Sequence, residues 1–490
     1  MVTTTAPRER TAELDLGSRA QHNLPGSELG APLPPVTPMT QRRVLGLAIP
    51  IIGENLLQTI VGAVDTLLVA RLGSYAVAGV GTSLEIVFFL ISVLSAVAIG
   101  ATVLVSQAIG AGEHTRANQL ARQAIVWGLL LSIPVSLGGY LAAPAIISVF
   151  GTEPDVAQAA TTYLQITAAT SVTLLLSFVC GAVLRGAGDS RTPLVAAAIA
   201  NFVNVVAAIV LIFGYLGAPA LGVAGSAWAA ALARGTGAAL LLTFLVRGRR
   251  AVSLRGQRGW APRAATARQL MRLGIPSAVE QILMAGGFTT MVAVVAALGT
   301  ASLAAQQIGF TALSIAFMPG FGFAIASTAL VGQSIGARRL ADARAAARIA
   351  TYWSIGWMTI GGLLYFVFAG AVMRLFTADQ EVITLGARAI RALSIGLPFW
   401  ALWSVSGGAL RGSGDTRTPM LMSATAVWLA VGLAWVMVTW FDGGVGAVWL
   451  TFFFTAPLAA LGNWLMLRRR LAPGSQRWLL PLELQPRPPL

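Results

Sequence analysis

The amino-acid sequence predicts an all-α membrane protein in which twelve transmembrane helices form two parallel, pseudo-symmetric six-helix lobes. Three observations carry that reading. Of 490 residues, 56% are hydrophobic and only 10% charged, which is too little polar material to cover a soluble globule of this size. Apolar stretches recur along the whole chain, and about 20 apolar residues suffice to cross a ~30 Å hydrocarbon core as a helix. The phrase "LRGAGDSRTP" at 184–193 returns as "LRGSGDTRTP" at 410–419 with eight of ten residues identical.

The elements follow in chain order. Residues 1–40 are rich in Pro, Thr, Ser and Gly without an apolar core, so they read as a disordered cytoplasmic tail and not as a signal peptide. Six spans beginning near Val44, Ala78, Gln123, Thr161, Pro193 and Leu221 make an N-lobe over 41–246. An arginine-rich cytoplasmic linker occupies 247–269. Six further spans, from near Leu270, Leu303, Ile349, Arg388, Pro419 and Gly444, make a C-lobe over 270–470, and 471–490 reads as a second cytoplasmic tail. Helices are expected because a lipid-spanning chain must satisfy its own backbone, and barrel strands would alternate polar and apolar residues.

The net charge of +15 could suggest nucleic acid, but its placement argues against such a partner. There is no lysine, and the 33 basic residues are all arginine. They crowd the loops on one side, as at Arg42, Arg116, Arg191, Arg339, Arg417 and Arg468, whereas "FGTEPD", "GYLGAPALG" and "FDGGVG" on the other side carry none. That is the positive-inside pattern, and it predicts a multi-pass protein of the inner (plasma) membrane with both termini cytoplasmic. Cys180 is the one cysteine, which excludes an internal disulfide. His22 lies in the tail and His114 in a loop. No metal site and no enzymatic activity are therefore expected.

The repeat is more than one phrase. At a constant offset of 226, Pro50 matches Pro276, Glu54 matches Glu280, Gln107 matches Gln333, Arg122 matches Arg348 and Phe150 matches Phe376. One register kept over that length is an internal duplication. An even number of spans per half makes the repeat parallel, a layout of transporters that rock two bundles around a central site.

Embedded charges single out candidate functional residues. Glu54 and Asp65 sit eleven positions apart in the first span, which puts them on one helix face within ~20° but ~16 Å apart. They are expected to line one cavity without forming a dyad. Insertion of such an acid costs about 3 kcal/mol, so function is the default reading. The plainer alternative is a carboxyl that bonds a neighbouring helix. A carboxyl is easier to bury neutral than charged, so a protonation cycle is physically available at Asp65. Pro50 removes a backbone hydrogen bond and offers a hinge that protonation could drive. Arg234, mid-way along the sixth span, needs a counter-ion, and Asp65, Glu54 and Glu85 are the candidates. Glu85 could equally sit at the membrane interface.

The first-span "PxxxxE", the "VDT" containing Asp65, "SQAIGAG" after the second span and the twinned "LRGxGDxRTP" resemble the multidrug and toxic compound extrusion (MATE) exporters, and the DinF-like branch in particular. The resemblance runs over roughly 42–470. It implies that Asp65 is the cation-coupled residue. The DinF-like sodium site would add an Asn and an Asp four residues apart on the fifth span, where this chain has Asn204 and Ala208. The missing carboxylate favours H+ over Na+ as the coupling ion, with no other cofactor. Glu280 matches a seventh-span Glu used by NorM-like relatives for cations, but its tenth-span Asp partner is absent. In the twinned phrase, Gly supports a turn, Thr192 and Thr418 are expected to cap the next helix, and Pro193 and Pro419 fit its first turn. Asp189 with Arg191, and Asp415 with Arg417, are expected to pair on the cytoplasmic rim beside Arg185 and Arg411, where such pairs could help a gate close. Phe317, Met318, Phe321, Phe399, Trp400 and Trp403 suit either a greasy drug cavity or lipid contact.

The expected function is a cation-coupled, proton-preferring antiporter that exports amphiphilic or cationic organic compounds by alternating access, as a monomer among membrane lipids. A lipid-linked precursor flippase of the same superfamily and a non-transporting scaffold or channel are the alternatives. The first would need a cationic central cavity; the second would not need a one-sided buried acid.

Overall fold

Thirteen α-helices and no β-strand make up the computed structural model, which describes residues 39–248, 252–256 and 259–472. The tails expected at 1–40 and 471–490 fall almost wholly outside those residues. In the first lobe the helices are α1 (Gln41–Ala70), α2 (Ser74–Gly110), α3 (His114–Ser148), α4 (Pro154–Ala169), α5 (Ser171–Gly186), α6 (Arg191–Phe213) and α7 (Val223–Arg247). In the second they are α8 (Ala264–Ala296), α9 (Thr300–Gly336), α10 (Leu340–Arg374), α11 (Gln380–Gly412), α12 (Arg417–Trp440) and α13 (Val445–Arg470). Eleven are long and apolar enough to cross a membrane singly, and α4 with α5 makes a twelfth span bent by 53°.

The span expected from near Thr161 is bent, and local hydroxyl chemistry accounts for it. Thr170 Oγ1 donates to the Ile166 carbonyl at 2.8 Å, and Thr173 Oγ1 donates to the Thr170 carbonyl at 2.8 Å. Side chains that bond carbonyls a turn back compete with the helical ladder and bend it. Several helices also begin well before their apolar stretch. Gln123 and Ile349 lie inside α3 and α10, because hydropathy marks only the part suited to lipid while the polar turns before it remain helical.

Large apolar side chains such as Leu67, Phe202, Leu363 and Leu421 are exposed on the outer helix faces, where a bilayer replaces water as the solvent. Inside, the second lobe packs around α11, with Trp400, Trp403, Trp449 and Phe452 buried together and the Trp400 and Trp403 rings 4.7 Å apart. The first lobe packs α2, α3, α5 and α7 around Leu175, Val179, Cys180 and Leu245.

The first half of α1 and the first half of α8 cross between lobes. Val44, Leu47, Ala48 and Ile51 of α1 bury themselves against Phe323, Leu330, Val405, Leu410 and Leu467 of the second lobe. Leu270 of α8 reciprocates in the core of the first. Pro50 and Pro276 stand at the crossings, each inside an unbroken helix.

The lobes meet closely at the end where both copies of the twinned phrase lie. A Cβ on Gly110 would come within 1.9 Å of the Gln333 carbonyl oxygen, and one on Gly336 within 2.0 Å of the Gln107 carbonyl oxygen. Two glutamines then bridge the lobes reciprocally. Gln107 Nε2 donates to the Gly412 carbonyl at 3.1 Å, and Gln333 Nε2 to the Gly186 carbonyl at 2.9 Å. Arg43 Nη2 adds a bond to Gln333 Oε1 at 3.2 Å.

The described part of the linker is sewn to α3. The Ser253 amide donates to Asn118 Oδ1 at 2.7 Å, Gln123 Nε2 donates to the Gly259 and Ala261 carbonyls, each at 2.7 Å, and the Arg263 amide returns to Gln123 Oε1 at 2.9 Å. The Arg122 guanidinium also donates to the Arg255 carbonyl.

Candidate functional site

A cavity of about 740 Å³ lies between the lobes, lined by α2 and α5 on one side and by α8, α9, α11 and α13 on the other. The positions of its lining residues along their helices divide it into two levels. Toward the arginine-rich end, Thr102, Arg185, Glu280, Gln281, Thr328 and Arg411 make a polar floor; toward the opposite end, Glu85, Phe88, Phe89, Phe288, Phe310 and Trp449 make an aromatic chamber. At ~1.5 Å per helical residue, Glu85 lies ~16 Å from the start of α2 and Thr102 about 26 Å further along.

The floor holds a twinned pair of ion pairs. Arg185 Nη1 donates to both Glu54 oxygens at 3.1 Å, and Arg411 Nη2 donates to Glu280 Oε1 at 2.9 Å. These four residues are the same pair seen twice at the repeat offset. The expectation that Arg185 and Arg411 serve a cytoplasmic rim is corrected, because their side chains reach inward to the embedded acids. A buried carboxylate left without a counter-ion costs several kcal/mol, and a long arginine can reach one from the helix end. Ser423 Oγ also donates to Glu280 Oε1 at 2.8 Å and accepts from Trp403 Nε1 at 2.9 Å. Glu280 is only 4% exposed, and its Oε2 has no hydrogen-bond partner.

Asp65 belongs to a different neighbourhood. Asn204 on α6, with its amide nitrogen toward the carboxylate, donates to Asp65 Oδ1 at 2.8 Å and Oδ2 at 3.2 Å. The Arg234 guanidinium on α7 lies within electrostatic range of Asp65 and of Tyr163 of α4, but among the described residues no ion pair joins it to Asp65, Glu54 or Glu85. Arg234 Nη1 is buried without a hydrogen-bond partner. The idea that Glu54 and Asp65 line one cavity is therefore corrected, since neither carboxylate is among the residues lining the interlobe cavity. Their shared helix face meets α5 at one level and α6 at the other.

At the repeat offset, Asp65, Tyr163 and Asn204 correspond to Met291, Ala389 and Ala430, all buried and apolar. The polar set is thus confined to the first lobe. Ala208, one turn beyond Asn204, is fully buried and supplies no carboxylate. Asn201 Nδ2, one turn before Asn204, is buried without a hydrogen-bond partner. Tyr163 was missed by sequence reasoning, because nothing in "TTYLQIT" distinguishes it from an ordinary core tyrosine.

At the rim, the carboxylates do the capping expected of the threonines. Asp189 Oδ1 accepts from the Arg191 and Thr192 amides, both at 3.1 Å, and Asp415 Oδ1 accepts from the Thr418 amide at 3.0 Å. A carboxylate two or three residues ahead satisfies orphan N–H groups at a helix start. Asp415 also pairs with Arg470 Nε at 3.1 Å instead of the expected Arg417, and Arg191 and Arg417 are exposed at the first positions of their helices. Gly188 and Gly414, at φ +88° and +86°, turn the chain between helices.

The aromatic expectations divide. Phe317, Trp400 and Trp403 fill the second-lobe core and face neither cavity nor lipid, Phe399 packs edge-on to Phe453, and Met318 sits by the Thr59 hydroxyl. Phe321 lines the cavity.

Comparison with known proteins gives a consistent result. The family model MatE matches residues 50–210 and again 276–436, reproducing the repeat. The chain is similar to the probable multidrug resistance protein NorM of Thermotoga maritima, at 31% identity over 420 residues covering 84% of this chain and 89% of that protein. It is also similar to the multidrug resistance protein PmpM of Pseudomonas aeruginosa, at 27% identity with 89% and 92% covered. Among solved structures, a MOP superfamily transporter from Pyrococcus furiosus superposes with a TM-score of 0.83 at 20% identity, covering 88% of this chain and 96% of that one. A multidrug resistance MATE family transporter in an outward-facing conformation superposes with a TM-score of 0.82 at 21% identity, with the same coverage. These structures share the fold.

Proposed function

Given that the chain belongs to the MATE family of membrane transporters, we propose that it is a proton-coupled antiporter of the DinF-like branch that exports small amphiphilic or cationic organic compounds. It works by alternating access in the plasma membrane, with its arginine-rich end in the cytoplasm. The observation that carries this reading is the one-sided polar set of Asp65, Asn204 and Arg234, confined to the first lobe and replaced by packed apolar residues in the second.

The set favours a proton over sodium on physical grounds. A hard cation is held by several oxygen ligands. Here Asp65 has one amide neighbour, Ala208 gives no second carboxylate, and the Arg234 guanidinium supplies a fixed positive charge that repels a metal ion. A proton asks only for a carboxyl that can be neutralised.

Coupling then runs through differential binding. With Asp65 ionised, Asn204 and Arg234 hold α1 against α6 and α7; with Asp65 neutral, the attraction to Arg234 is lost and α1 is free to repack about Pro50. A ligand moves such an equilibrium only by binding the two states unequally. The reciprocal bonds of Gln107 and Gln333 across the glycine contacts close the cytoplasmic side, so this state corresponds to the outward-facing half of the cycle. Glu54 and Glu280 with their arginines serve the cavity floor, and lobes over 41–246 and 270–470 rock about the clamped linker.

The test is transport by the purified protein in proteoliposomes with proton and sodium gradients applied separately. A proton gradient should drive export of a lipophilic cation, a sodium gradient should not, and Asp65→Asn should be expressed and folded yet lose the proton-driven component. Sodium-driven export alone, or an unimpaired Asp65→Asn, would refute the proposal.

A further inference from the structure

Charge accounting within the cavity isolates one residue. Four ionisable side chains line it: Glu85, Arg185, Glu280 and Arg411. Arg185 is neutralised by Glu54 and Arg411 by Glu280. Among the described residues Glu85 has no ion pair, so it leaves the cavity with one uncompensated negative charge.

Its surroundings suit a guest and not a structural partner. Glu85, Phe88, Phe89 and Ser92 recur at helical spacing along one face of α2, all of them on the cavity wall. Phe88 is 61% and Phe89 41% exposed, so their rings are available to a ligand. Phe288 and Phe310 approach from the other lobe with ring centroids 5.8 Å apart. A carboxylate among aromatic faces attracts an organic cation twice, by direct charge and by the ring quadrupoles.

A second observation points the same way. Gln306 lines the cavity at a similar depth, is 3% exposed, and its Oε1 has no hydrogen-bond partner; Glu280 Oε2 on the floor is likewise unpartnered. Both orphan atoms are acceptors. Burying an acceptor unmet is costly, and a positively charged or N–H-donating guest would meet that need. The repeat places Thr311 opposite Glu85, with its hydroxyl turned to the Gln307 carbonyl at 2.9 Å. The second lobe therefore offers no matching charge.

We propose that the aromatic chamber is a binding subsite for a lipophilic organic monocation, with Glu85 reading its charge and Phe88, Phe89, Phe288 and Phe310 enclosing its apolar body. The inference rests on the exporter reading and adds a specificity-determining residue to it. Glu85 is distinct from the coupling acid, because it lies on α2 in the cavity and Asp65 lies on α1 against α6. A monocation fits better than a dication, since only one lining charge is left unbalanced.

Equilibrium binding to the full-length protein in nanodiscs tests this with two probes of similar shape, tetraphenylphosphonium and the uncharged triphenylphosphine oxide. Glu85→Gln should weaken the cation at least tenfold and leave the neutral probe within about twofold. Glu85→Asp, which keeps the charge, should retain most of the cation affinity. Unchanged cation binding in Glu85→Gln overturns the subsite while leaving the exporter reading in place. Equal loss of both probes in both variants also overturns charge reading by Glu85. A wild-type protein that binds no lipophilic cation and transports none under either gradient defeats both readings together.

Discussion

Arg411→Gln is the substitution whose cost the structure defines best. It removes the guanidinium that bonds Glu280 Oε1 at 2.9 Å and leaves a carboxylate that is 4% exposed, with Ser423 as its remaining donor and Oε2 still unpartnered. Breaking one side of a buried pair costs about 3–5 kcal/mol, mostly the penalty of stranding the other charge. Adding Glu280→Gln removes that stranded charge, so the double variant should recover ~1–3 kcal/mol relative to Arg411→Gln alone. In the twin pair, Arg185 and Glu54 are each 14% exposed; Arg185→Gln should cost less, because water reaches the acid it leaves behind. The assay is thermal unfolding in detergent followed by tryptophan fluorescence, for which Trp403 reports directly through its bond to Ser423. Arg417→Gln, at an exposed residue that starts α12, is the control. An Arg411→Gln no less stable than this control, or a double variant no better than the single, would refute the reasoning.

Three further outcomes follow from the geometry. Gly110→Ala places a Cβ where the Gln333 carbonyl oxygen is 1.9 Å away, so the lobes must part at the arginine-rich end; spin-label distances across that end should lengthen, and an unchanged distribution counts against the clamp. Removing the two bridging amides together, as Gln107→Leu with Gln333→Leu, should shift the same distances in the same direction while leaving the cavity lining intact, and no shift would show that the glycine contacts suffice. Arg234→Gln should slow proton-driven transport at least tenfold yet leave equilibrium cation binding in the cavity within about twofold, since Arg234 does not line it. Equal losses in both measurements would place Arg234 in the substrate site instead.

Much of the molecule is legible in the linear chain. Hydropathy and the duplicated phrase are properties of residue order, and they lead directly to twelve spans, two lobes, the pairing of Glu54 with Glu280 and the singularity of Asp65. Asp65 stands out because the residue at its repeat position is Met291, and the fold shows that Tyr163 and Asn204 break the symmetry with it. Against the DinF-like pattern that the chain resembles, the absence of a carboxylate at Ala208 is likewise a departure at one position.

What stays hidden depends on which helices are neighbours. The twinned phrase reads as a rim because its arginines sit at helix ends; only the tertiary structure brings Glu54 of α1 within reach of Arg185 at the end of α5, and Glu280 of α8 within reach of Arg411 at the end of α11, each 131 residues away in sequence. Arg234 has three candidate partners in the sequence, and the placement of α7 beside α4 and α6 brings it into electrostatic range of Asp65. Helical periodicity puts Glu54 and Asp65 on one face, but it cannot say that the face meets different helices at different heights. The chain by itself determined its spans, its repeat and which charges are embedded, because lipid and duplication act on residues one at a time and in order. Tertiary structure alone decided which of those charges cancel and which one, Glu85, faces the cavity unbalanced, because electrostatic pairing depends on distance in space and long arginine side chains reach across helices.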